Sequence, residues 1–135
     1  MGLPCSAQTI MFHVITDQGK PLERRKVSIS LEGFKDGKPV GHGQIAETDH
    51  NGEARFTLPS SSPEYFFFYV ELGSPYWDCA CSGIPRTEKV AQTGIVQSAA
   101  SKYVHKVFEP KPGEVLIVVR QFTLIDRLLY PLMKD

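Results

Sequence analysis

Apolar and polar residues alternate along most of this chain, in short runs separated by turn-forming residues. Over residues 8–16, Ile10, Phe12 and Val14 alternate with Met11, His13 and Ile15, the two-residue period of a strand with one buried face. Val27, Ile29 and Leu31 alternate with Ser28, Ser30 and Glu32 in a second strand. Residues 44–48 and 54–58 predict two more, with Ile45, Ala54, Phe56 and Leu58 on the buried face. Between them stands Asp49-His50-Asn51-Gly52, where Asn and Gly accept positive φ at little steric cost, so the two strands read as a hairpin. Residues 65–72 open with five aromatics in succession, which predicts a strand buried on both faces or one that carries an aromatic surface patch. The aliphatic run Val115-Leu116-Ile117-Val118-Val119 predicts a buried strand.

Other segments break the period. Asp17 to Leu22, Lys35 to Pro39 and Pro110 to Glu114 read as turns, and Pro59 to Pro63 as a polar loop fixed at both ends by proline. Residues 73–85 hold two prolines, two glycines and no consistent period, so they form the longest irregular stretch, with room for a short paired piece. Residues 87–98 fit neither period, and a short strand is predicted near 94–97, followed by a linker at 99–102. After Arg120 the spacing changes: Phe122, Ile125, Leu128, Leu129 and Leu132 recur at helical intervals, and Pro131 ends the run. The pattern predicts an all-β fold, an antiparallel Ig-like sandwich of about seven strands over residues 8–121. A short amphipathic helix at 122–133 packs on the sandwich or is appended to it.

Composition narrows the function classes. The chain has 135 residues, enough for one domain with one core. Its 15 basic and 15 acidic residues cancel, leaving no global field for a nucleic acid or an anionic membrane. Glu23-Arg24-Arg25-Lys26 reads as a solvated turn, and no apolar run is long enough for a transmembrane segment. Cys5-Ser6-Ala7, just before the first strand, has the small-residue character of the end of a secretory signal. An ordinary flexible N-terminus reads equally well.

The turn motifs carry a resemblance. Val14-Ile15-Thr16-Asp17-Gln18-Gly19-Lys20-Pro21-Leu22, then Val27 to Leu31, then Thr48-Asp49-His50-Asn51-Gly52-Glu53-Ala54-Arg55-Phe56 resemble the carboxypeptidase regulatory-like (prealbumin-like, Cna-B-type) domain. Lys111-Pro112-Gly113-Glu114 and the strand after it are similar to the family's last strand. The resemblance covers residues 10–72 well and 110–120 loosely, and it implies the fold while saying little of activity. The loop carrying Trp77, Cys79 and Cys81, together with Arg127 to Leu132, also resembles a group of uncharacterised acidobacterial proteins. That likeness implies an exported bacterial protein in an extracytoplasmic setting, periplasmic or secreted.

The chemistry-bearing residues form no catalytic motif. Intradiol dioxygenases share the fold and hold iron with two Tyr and two His, including a close His pair, but His42-Gly43-Gln44 lacks the second histidine. No phosphate loop, nucleophile elbow or zinc-protease run occurs. The reading is a non-enzymatic binding or interaction module with no cofactor, whose ligand is an unidentified protein or carbohydrate. Tyr76 and Trp77, aromatic rings in a proline-bounded loop, are the candidate ligand contacts. The alternative is a zinc or copper protein using Cys79, Cys81, His50 and His105, since thiolate and imidazole are the right donors. Against it, Cys-x-Cys is not the usual zinc knuckle, and such a close pair can instead stay as free thiols or close a labile disulfide. A carbohydrate-binding module is the third reading.

Overall fold

The computed structural model describes residues 8–31, 34–35, 38–39, 43–58, 64–73, 77–98 and 108–121. Residues 1–7, the 59–63 loop, the 99–102 linker, His42, Tyr76, His105 and the predicted tail helix at 122–133 lie outside them. In chain order the elements are β1 (Gln8–Thr16), β2 (Lys26–Ser30), β3 (Phe34–Lys35), β4 (Lys38–Pro39), β5 (Gly43–Glu47) and β6 (Glu53–Leu58). They continue as β7 (Phe67–Glu71), β8 (Trp77–Asp78), β9 (Ser82–Gly83), α1 (Thr87–Thr93), β10 (Ile95–Ser98) and β11 (Glu114–Gln121).

Two sheets face each other. One runs β10-β11-β1-β6, with β8 also paired to β11; the other runs β5-β2-β7-β9, and β3 pairs with β4 apart from both. The β-sandwich read from the sequence is therefore present. Its first sheet is mixed: β11 lies parallel to both β1 and β10, whereas β6 and β8 pair antiparallel.

The alternating positions meet between the sheets. Ile10, Phe12 and Val14 of β1, Val27 and Ile29 of β2, and Ala54, Phe56 and Leu58 of β6 point into one core with Phe66, Phe68 and Val70. Phe12 is its centre, with ring centroids 5.6 Å from Phe56, 6.4 Å from Phe66 and 5.2 Å from Phe68. Val115, Ile117 and Val119 of β11 join this core, while Leu116 and Val118 are buried on the opposite face with Ile15 and Phe108. Burial on both faces is why β11 reads as an unbroken aliphatic run.

The hairpin expectation is corrected. β5 pairs with β2 and β6 with β1, so the 48–52 turn arches from one sheet to the other. The turn chemistry is as read: Asp49 N–H donates to Glu53 O and Gly52 N–H to Asp49 O, each at 2.9 Å. Asp49 Oδ1 accepts from the N–H groups of Glu53 and Asn51, which hold its carboxyl below the ordinary carboxylate value. What bends the chain lies outside the turn. Buried Thr48 donates its hydroxyl to Leu22 O at 2.7 Å and accepts the Arg25 N–H at 2.9 Å. Gly52, at φ 77°, accepts the Val14 N–H through its carbonyl, and a Cβ there would stand 2.5 Å from Val14 O. Once the arch is made, Ala46 faces the core and Ile45 faces outward, 70% exposed.

Helix α1 was not expected. It is seven residues long, with only Thr87 and Val90 buried, too short a run to display a helical period. Gly94 ends it in the left-handed region, where a Cβ would strike Lys111 O. Gly113 N–H donates to Val90 O at 2.7 Å, tying the helix to the turn before β11.

Candidate functional site

Residues 77–85 cross from one sheet to the other. Trp77 and Asp78 pair with Gln121 and Arg120 of β11; four residues later Ser82 and Gly83 pair with Tyr69 and Phe68 of β7. Between them Cys79 and Cys81 are joined by a disulfide, their Cα atoms 5.1 Å apart, and both half-buried side chains pack against the core. Three bonds fix the crossover. Val70 N–H donates to Cys81 O at 2.7 Å, and Gln97 Nε2 donates to Ala80 O at 3.0 Å and Ser82 O at 3.1 Å. Gly83 leaves the room this requires, since a Cβ there would lie 2.6 Å from Gln97 Oε1 and 3.0 Å from the Phe68 ring.

Trp77 is half-buried against the core, and the Arg25 guanidinium lies over its ring at 5.7 Å from the centroid. Arg25 also donates through Nη1 to Leu72 O at 2.6 Å. This corrects the reading of residues 23–26 as a wholly solvated turn: Arg24 is exposed at φ 61°, but Arg25 is packed into the molecule. Asp78 sits in β8 with its carboxylate 3.6 Å from Arg120 Nη2.

Three of the four metal-ligand candidates lie among the described residues. Cys79 and Cys81 are bonded to each other, so neither offers a thiolate in this form. His50 is exposed at the tip of the 48–52 arch. His105 lies outside the described residues, among which no three His, Cys, Asp or Glu side chains cluster as a metal would need. Tyr65, just before β7, and Tyr69 within it are 45% and 48% exposed, realising the surface-patch option for the aromatic strand while Phe66 and Phe68 fill the core.

Beside the crossover lies a groove of about 360 Å³. It is lined by Ile84, Pro85 and, from β10, Ile95, Val96 and Gln97. Ile84 and Val96 are 53% and 44% exposed. Arg86 and Lys89 also line it, and among the described residues no carboxylate does. Arg86 lies 5.9 Å from the Tyr65 ring centroid, and its Nη2 is 3.4 Å from Glu64 Oε1 in an exposed pair. The Tyr65–Arg86 β-bridge and the Thr87 N–H bond to Glu64 O hold residues 86–87 against the segment before β7. A sequence signal for the groove exists in Ile84, an apolar residue between Gly83 and Pro85 where no periodic face can bury it.

A second polar pair, not read from the sequence, joins β1 to β11. His13 Nδ1 lies 3.1 Å from Glu114 Oε2, and Oε1 of the same buried carboxylate accepts the Lys111 N–H at 3.0 Å. The partners are 101 residues apart, so spacing offers no hint of the contact.

No protein-family model matches the chain, and no curated protein matches it in sequence. Among solved structures, the full-length major pilin SpaD of Corynebacterium diphtheriae is similar over 89% of this chain, at TM-score 0.55 and 11% identity. The shaft pilin spaA of Lactobacillus rhamnosus GG is similar over 87%, at TM-score 0.51 and 14% identity. The fold is a two-sheet β-sandwich similar to parts of these two pilin chains. The chain spans 32% and 49% of their lengths, and at such identities the likeness speaks for architecture alone.

Proposed function

We propose that this pilin-like sandwich is a non-enzymatic binding or interaction module of an exported bacterial protein. The observation that carries the reading is the two-sheet architecture shared with pilin chains over 89% of the sequence. The Cys79–Cys81 disulfide supports an extracytoplasmic setting, because such bonds persist in oxidising compartments. The acidobacterial resemblance of the Trp77–Cys81 loop points the same way. The groove beside the crossover, lined by apolar and basic side chains, is the surface through which the module would act.

Elemental analysis of protein purified without chelator tests this against the metal alternative. The expected result is no stoichiometric zinc or copper and an unchanged thermal midpoint in chelator. One equivalent of metal, lost on Cys79→Ser/Cys81→Ser substitution, would replace the module reading with the metal-binding one.

A further inference from the structure

The groove has two features that together select an occupant. The first is its position on the open side of the sandwich. β10 is the terminal strand of its sheet and β9 that of the other, and among the described residues no strand pairs with the outer edge of β10. An edge strand presents its N–H and C=O groups in a row, and an extended peptide can complete that ladder. Residues 95–98 offer such a row directly beside the apolar groove walls.

The second feature is charge. Arg86 and Lys89 line the groove, and among the described residues no acidic residue lines it and Lys89 forms no ion pair. Besides the Tyr65 ring, Arg86 meets the exposed Glu64 carboxylate at 3.4 Å, an ion pair weak enough in water to be exchanged for another carboxylate. Ile84 and Val96, about half exposed, supply the apolar contacts that an alternating peptide would bury on its groove-facing side.

We infer that the groove binds an extended, acidic peptide segment of a partner protein, which adds as a strand to the outer edge of β10. Its apolar side chains pack on Ile84 and Val96, and its carboxylates meet Arg86 and Lys89. The inference rests on the binding-module reading and gives that module a ligand class.

The test is selection from a displayed random dodecapeptide library on the whole protein. Enrichment of sequences that alternate apolar residues with Asp or Glu is expected. One selected peptide, synthesised and titrated by amide NMR, should shift the N–H signals of residues 95–98 and bind more weakly as salt rises. In Arg86→Glu/Lys89→Glu, and separately in Val96→Glu, its affinity should fall about tenfold or more. All three positions are exposed, and an unchanged thermal midpoint in each variant establishes that the fold persists. Enriched peptides without acidic bias, shifts that map away from β10, or equal affinity for the charge-reversed protein would each overturn the inference. A library that yields no binder overturns it as well. None of these outcomes touches the metal analysis, so the module reading would stand or fall separately.

Discussion

Thr48 shows how much one hydroxyl can decide. Its Oγ1 accepts the Arg25 N–H and donates to Leu22 O, while its own N–H and C=O pair with Arg25 O and Arg24 N–H. Four bonds from one buried residue thus lock the 17–22 turn, the start of β2 and the arch to each other. Replacing Thr48 by Val keeps the shape but leaves a buried amide and a buried carbonyl short of a partner, at a cost of about 1–3 kcal/mol for each group so stranded. Denaturant unfolding should show Thr48→Val destabilised by about 2 kcal/mol or more, with Thr48→Ser recovering most of the loss. A neutral Thr48→Val would show that the hydroxyl does not hold the arch. At this scale the sequence was legible where a residue's role is local: Gly19, Gly52 and Gly113 take the positive φ that their turns need, although Asn51 keeps a negative one. It was silent where the partner is remote. Nothing near Arg25 announces Trp77, and nothing near His13 announces Glu114.

Among the elements, strands were legible and their partners were not. The alternation placed β1, β6 and β11 within a residue or two, since a two-residue period depends only on which face is buried. Pairing depends on where the chain goes after the turn. A hairpin and an arch share the same turn residues and differ in whether the flanking strands exchange bonds or separate into opposite sheets, so Ile45 was assigned the wrong face. Helix α1 was hidden for a different reason, having a single fully buried apolar residue, Val90. The crossover from β8 to β9 is the element whose disulfide can be weighed. Closing a loop of three residues restricts the unfolded chain little, by roughly 1–2 kcal/mol in the chain-entropy account. Its principal effect is therefore local: it fixes the path that presents Ala80 O and Ser82 O to Gln97. The Cys79→Ser/Cys81→Ser protein should lose no more than about 2 kcal/mol of stability, and hydrogen exchange should quicken at the Val70 amide and the Gln97 side chain while the Phe12 region stays protected. Faster exchange throughout the core would show that the bond supports the whole fold.

Across the whole molecule, β1 and β11, the first and last strands described, lie side by side and parallel, in register from Met11 with Glu114 to Thr16 with Val119. This pairing has a mechanical consequence. Tension that draws β1 back along its N-terminal direction and β11 forward along its C-terminal direction makes the two strands slide past one another. The bonds of the ladder are then loaded together in shear, whereas an antiparallel pair pulled apart from one end opens bond by bond. The β2–β7 pair is antiparallel and lies in the other sheet, so it carries this load only through the core. Single-molecule pulling on residues 8 and 121 should give one abrupt rupture, at a force lowered by a β11 substitution such as Ile117→Pro that removes a donor facing β1. Gradual extension at low force would mean that the ladder does not bear the tension. The strand pairing that closes the sandwich would also make the domain a resistant link when pulled along its length.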